Sequence, residues 1–208
     1  MAARTVSNSV IKRLPRYYRF LNELRQKGVT RISSGELASH MNLTASQIRQ
    51  DLNCFGGFGQ QGYGYNVDQL QYEIGRILGL DTEATAILIG AGNLGQTIAT
   101  HINFKKCGFR LVAIFDQNEK IIGDTVGELK ISDMKDLTAY CKKVKPDVAI
   151  MCIPRAHAQE IVDELLTCGV RGFWNFSQRD LVIDDKRAHV ENIRLADSLM
   201  ALRYHIGK

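Results

Sequence analysis

Apolar side chains near the start of the chain recur at helical spacing. Val10, Ile11, Leu14, Tyr17, Tyr18, Leu21 and Leu24 share one face of a helix from Val10 to Leu24, and Lys12, Arg13, Arg16, Arg19 and Arg25 cover the other. Gly28 ends it. Ser33-Ser34-Gly35-Glu36 then has the form of a capping box, with Ser33 as N-cap and Glu36 reaching back, and opens a short helix to about His40. After the brief connection Met41-Asn42-Leu43, Thr44-Ala45-Ser46-Gln47 is a second capping box, opening a helix through Leu52. Two short capped helices joined by a tight turn, behind a longer basic helix, predict a helix-turn-helix. From Phe55 to Tyr65 five glycines alternate with aromatic side chains, which suits a tight β-hairpin, or wing, better than a helix.

Beyond residue 80 the pattern changes to short, continuous apolar runs. Ala86 to Ile89, Leu111 to Phe115, Asp147 to Ile153, Val170 to Phe176 and Val190 to Leu195 read as buried parallel strands, and His157 to Leu166 as a helix between two of them. A last helix, about Asp197 to Ile206, carries Leu199, Leu202 and Ile206 along one stripe, the mark of core packing or of a dimer contact. The fold class expected is therefore α/β. A winged helix-turn-helix over residues 1–80 precedes a doubly wound Rossmann sheet over residues 81–208.

The first of those runs leads into Gly90-Ala91-Gly92-Asn93-Leu94-Gly95, the spacing G-x-G-x-x-G. Gly90 allows the strand-to-helix turn, Gly92 lets the backbone approach a pyrophosphate, and Gly95 lets the helix pack close to the sheet. The helix start offers free N–H groups and partial positive charge to a diphosphate. Asp116 lies 21 residues beyond Gly95 at the end of the second run, where a carboxylate accepts hydrogen bonds from adenosine ribose hydroxyls. It also repels a 2′-phosphate, so NAD(H) is expected over NADP(H). The glycine spacing alone is weak evidence, but strand, helix, second strand and acid together are specific. The strand from Asp147 to Ile153 brings Ile153 and the following Pro154 to the carboxyl edge of the sheet, where nucleotides sit.

Charge separates the two regions. Residues 1–80 hold 10 Lys and Arg against 5 Asp and Glu, while residues 81–208 hold 17 of each, so the net charge of +5 belongs to the first part. A basic module joined to a neutral one suggests a polyanion for the first and a small ligand for the second. On the second capped helix Ile48 and Leu52 face the core, and Ser46, Gln47, Arg49 and Gln50 project outward as side chains suited to a major groove. Candidate DNA contacts are Arg13 on the first helix, Thr44, Ser46, Gln47, Arg49 and Gln50 on the reading helix, and Gln60, Gln61, Gly62 and Tyr63 on the wing.

No run of 18 apolar residues and no secretory core appear, so neither a membrane span nor a signal peptide is expected. The cysteines at 54, 107, 141, 152 and 168 form no C-x-x-C pair; reduced thiols of a cytoplasmic protein, without a metal site, are expected. Two other functions fit parts of the pattern. An NAD-dependent oxidoreductase needs a proton donor near the nicotinamide, with His101 and His157 as candidates. However, no substrate domain exists apart from the basic one, and no enzyme is expected. A nucleotide-gated module binding protein or RNA is the third reading; a salt-sensitive shift with promoter DNA separates the repressor from it.

Taken together, the motifs resemble the Rex redox-sensing transcriptional repressors of bacteria, nearly end to end. The resemblance runs through RLPRYYRF (13–20), SSGELA (33–38), LTASQIRQDLNCFGGFGQQGYGYNV (43–67), the glycine loop, CIPRAHAQEIVDELLTCGVRGFWNFS (152–177) and IRLADSLMALRY (193–204). It implies a homodimer on a palindromic double-stranded DNA operator, NADH sensed against NAD⁺ by the Rossmann domain, and a C-terminal helix exchanged between subunits. It further implies a cofactor contact at Asn175 and a switch in which Arg19 and Asp197 pair in one of two arrangements. The chain departs from the family at Gln50, Gln60 and Gln61, where cations are common, and at Ile102, where a tyrosine is common. Fewer cations predict weaker, less salt-dependent DNA binding.

Overall fold

The computed structural model describes residues 6–60, 63–184, 186 and 188–207, and the chain divides into two compact units, Met1–Thr82 and Glu83–Lys208. In the first, the basic helix runs further than its apolar pattern, from Asn8 to Gln26 (α1), and buries Val10, Leu14, Tyr17 and Leu21. A two-residue strand, Arg31–Ile32 (β1), leads to α2 (Ser34–Met41). The Ser33 capping box forms as expected: Glu36 N donates to Ser33 Oγ at 3.1 Å and Ser33 N to Glu36 Oε2 at 2.8 Å. Asn42, in the left-handed region at φ 52°, turns the chain into α3 (Ala45–Asn53). The second box is only half made. Gln47 N donates to Thr44 Oγ1 at 3.1 Å, but the Gln47 side chain turns instead to Asp51.

Strands Gly59–Gln60 (β2) and Gly64–Asn66 (β3) pair antiparallel, and β1 adds to β3, giving a three-stranded sheet in the order β1-β3-β2. Helix α4 (Val67–Ile77), which the sequence pattern had not singled out, packs Val67, Leu70 and Ile74 into the same core as Tyr17, Leu37, Ile48 and Leu52. The unit is a winged helix.

The second unit alternates strand and helix: β4 (Ala84–Ile89), α5 (Asn93–His101), β5 (Phe109–Asp116), β6 (Thr125–Val126), β7 (Leu129–Asp133), α6 (Leu137–Val144), β8 (Val148–Met151), α7 (Ala158–Thr167), β9 (Gly172–Asn175), β10 (His189–Asn192) and α8 (Leu195–Ile206). The sheet order is β10-β9-β8-β4-β5-β7-β6, parallel throughout except for the edge hairpin β6–β7. Six of these strands follow the doubly wound order, whose reversal falls between β4 and β8. The β6–β7 hairpin and α6 were not legible in the apolar pattern, because Thr125 to Asp133 mixes charged and apolar positions at a half-exposed edge. The expected strands at Asp147–Ile153 and Val170–Phe176 are shorter at both ends.

The two faces of this sheet are covered unequally. Ile87, Ile89, Phe115, Met151 and Phe173 meet Leu137 and Cys141 of α6 and Val162 and Leu165 of α7. On the other face Leu88, Ile114 and Ile150 meet Ile98 of α5. That leaves an apolar depression of about 350 Å³, lined by Ile102, Phe104, Phe109, Ile150 and Trp174 among others. Helix α8 buries none of its residues; Leu199, Leu202 and Ile206 are exposed, as are Leu195 and Met200.

Candidate functional sites

At the reversal point a cleft of about 370 Å³ opens at the carboxyl ends of β4, β5 and β8, lined by Gly90, Gly92, Asp116, Cys152, Ile153 and Pro154 with Asn118 and His157. Glycine is required where expected. Gly90 sits at φ +95°, and a Cβ there would lie 2.4 Å from the Cys152 carbonyl oxygen. At Gly95 a Cβ would fall 1.9 Å from the Gly90 carbonyl oxygen, so the helix start is pressed onto the strand end. Gly92 differs: a Cβ would meet nothing within 4 Å. It faces the open cleft, in space a ligand can fill.

Gly92 is also the N-cap of α5 and brings no side-chain hydrogen bond, and the first turn holds no acid. The N–H groups of exposed Asn93 and Leu94 and of buried Gly95 therefore form the positive end of a helix beside the cleft. Asp116 is tied to this loop: its Oδ2 accepts from Ala91 N at 2.6 Å and its Oδ1 from Asn118 N at 2.8 Å. A carboxylate has about four acceptor sites, so two are left for ribose hydroxyls. This backbone-rich cradle with one acid fits a dinucleotide. Burial pushes the Cys152 thiol up to about 12, which keeps it an inert wall.

Asn175, an expected cofactor contact, is buried at the end of β9, its amide donating to Arg179 O and Asn192 Oδ1 and its oxygen accepting from Ser177 N and Oγ. These bonds hold the turn after β9.

On the winged helix, Ser46, Arg49 and Gln50 are exposed on α3, as the sequence predicts. Arg49 Nη1 donates to Ser34 Oγ at 2.9 Å, resting against the start of α2. Three other candidates have internal partners. Thr44 caps α3. Arg13 grips Asp51 with Nε at 2.6 Å and Nη2 at 2.8 Å, and Gln47 Nε2 donates to Asp51 Oδ1 at 2.8 Å. In this structure Arg13 and Gln47 thus support α3, because a buried carboxylate needs donors to offset its lost hydration. Asp51 itself was missed, although its place between buried Ile48 and Leu52 puts it on the core side of the helix.

Tyr63 is exposed beside the wing; Arg31 lies over its ring at 6.0 Å and donates to its carbonyl oxygen at 3.1 Å, an unforeseen cation at the wing root. Gln60 is placed by its pairing with Gly64, while Gln61 and Gly62 lie outside the described residues. Arg19 and Asp197 are both exposed, each on its own unit. Among the described residues no cluster of His, Cys, Asp and Glu could hold a metal, and no helix is long and apolar enough to cross a membrane.

Known proteins align with both units. A family model described as "Putative DNA-binding protein N-terminus" matches residues 5–53, and one described as "CoA binding domain" matches residues 81–179. The chain is 50% identical over 203 residues to the redox-sensing transcriptional repressor Rex of Clostridium botulinum, strain Alaska E43, spanning 98% of this chain and 96% of that one. It is similar to the crystal structure of RSP in complex with β-NAD⁺ and operator DNA, at a TM-score of 0.92 and 47% identity, covering 98% of this chain and 93% of that one. Against RSP in complex with β-NADH the TM-score is 0.90 at 44% identity, covering 98% and 95%.

Proposed function

This chain belongs to the Rex family of redox-sensing transcriptional repressors, and from that premise we propose that it holds a palindromic DNA operator as a homodimer and gives it up on binding NADH. Residues 1–80 meet the DNA and residues 81–208 take NAD(H). The observation that carries this reading is the near-complete match to a repressor described both with NAD⁺ and operator DNA and with NADH. The match to Rex repressors over nearly the whole chain favours a cytoplasmic regulator over an oxidoreductase.

In the cleft, the N–H groups at the start of α5 bind the diphosphate, Asp116 orients the adenosine ribose and excludes a 2′-phosphate, and Ile153 and Pro154 wall the far end. The nicotinamide supplies a ring whose charge and planarity change with its redox state. On α3, Ser46, Arg49 and Gln50 read the major groove, with Tyr63 and the wing beside them. Arg19 and Asp197 pair in one of two subunit arrangements. Dimerisation exchanges α8: its exposed leucines match the bare apolar face beside Trp174 and Phe109 in chemistry.

The test is linkage. A duplex recovered from a random pool by the protein itself serves as operator, and its affinity is measured in parallel with NAD⁺ and NADH. Coupling is reciprocal, so saturating duplex should weaken NADH binding by the same factor, roughly 5–150-fold. Unchanged NADH affinity would remove the redox-sensing reading even if both ligands bind.

A further inference from the structure

Asp51 lies in the C-terminal part of α3, is fully buried, and has all its acceptor sites filled. Oδ1 accepts from Arg13 Nη2 at 2.8 Å and Gln47 Nε2 at 2.8 Å; Oδ2 accepts from Arg13 Nε at 2.6 Å and the Tyr17 hydroxyl at 2.6 Å. Four donors meet about four lone-pair sites. Arg13 and Tyr17 are one turn apart on α1, so three of the four bonds cross between helices. The backbones of these helices lean elsewhere, α1 mainly along α4 and α3 mainly along α2. The α1–α3 link is therefore carried by side chains. A buried ion pair adds little net stability compared with apolar packing of the same shape, but a bidentate guanidinium permits few geometries.

We propose that Asp51 is the positioning residue that locks the angle of the reading helix to α1, so that base discrimination depends on a side chain that touches no DNA. The proposal rests on the reading of α3 as the DNA-reading helix. Its consequence is that α1, which also carries Arg19, and α3 move as one piece. The orientation of Ser46, Arg49 and Gln50 toward base edges then follows α1, while phosphate attraction, which tolerates small rotations, does not.

The full-length Asp51→Asn variant tests this. Affinities for the selected palindromic duplex and for a scrambled duplex of equal length are measured over a salt series, alongside NADH affinity and thermal melting. The preference for the selected duplex should fall on the order of tenfold, while the scrambled-duplex affinity, its salt slope and NADH binding stay unchanged. Tyr17→Phe, which removes one donor and keeps the ring, should give a smaller loss in the same direction and serves if Asp51→Asn does not fold. An undiminished preference in a folded variant, or equal losses for both duplexes, would overturn the proposal. A wild-type protein without preference for any duplex would instead overturn the DNA-reading assignment itself.

Discussion

The nucleotide cleft and the DNA-reading face are built by opposite means. The cleft is made of backbone: a glycine loop, the bare start of α5 and one acid, with side chains serving as walls. The reading face is made of side chains, and several of the polar groups that point outward by helical spacing are held by the fold itself, Thr44 as a cap and Arg13 and Gln47 on Asp51. A backbone site is rigidly implied by its glycines, because only one residue type fits. A side-chain site is decided by competition among partners that the sequence places far apart.

The comparison breaks most visibly at the glycines. Gly95→Ala should remove detectable NADH binding, a loss of more than about two decades, since displacing the helix start forfeits hydrogen bonds worth roughly 1.5–3 kcal/mol each to a charged group. It should also lower the melting temperature, because the new Cβ collides with the Gly90 carbonyl. Gly92→Ala is its sharper partner: the same loss of NADH in direction, with melting unchanged, since its Cβ enters open space. Calorimetric titration and thermal melting on both variants separate ligand space from packing space.

Asp116→Ala should weaken NADH binding by about one to two decades and narrow the preference over NADPH. Equal affinity of the intact protein for NADH and NADPH would refute the assignment of Asp116. On the other face, Arg49→Ala should cost about 1–3 kcal/mol of duplex binding and relax preference at one base pair. Gln50→Lys should strengthen binding to all duplexes and steepen the salt dependence by about one unit. Gel shifts over several salt concentrations distinguish the two. If Arg49→Ala binds as the parent does, α3 does not lie in the groove.

The smallest effect is the pH response of the Asp51 cluster. Burial alone would raise the Asp51 carboxyl, but hydrogen bonds from Arg13, Tyr17 and Gln47 outweigh it and hold the group below the usual carboxylate range. Its contribution is therefore present above about pH 4 and lost as pH falls through the depressed value. Tyr17 is raised, first by burial and then by its bond to Asp51, so its contribution is present below about pH 10 and lost as pH rises beyond. Melting followed against pH should show both edges in the parent, with the acid edge missing in Asp51→Asn.

Much of the architecture is legible in the sequence. Continuous apolar runs gave away the parallel strands, since strands covered on both sides need no polar alternation. The Ser33 capping box and the wing glycines marked their elements through local backbone demands. Helix α4, the β6–β7 edge and α6 escaped notice, because their half-exposed positions carry mixed patterns that obey neither period cleanly. The sequence alone determined what chirality, glycine geometry and helix spacing enforce locally: the dinucleotide loop, Asp116 at its strand end, and the exposed Ser46, Arg49 and Gln50. Only the tertiary structure decided the fate of polar side chains with a choice of partners. Arg13 and Tyr17 lie more than 30 residues from Asp51 in sequence, and Asn175 turns inward to Asn192. Such pairings arise when burial removes water and leaves each charge to the nearest donor that packing brings within reach, which no local pattern encodes.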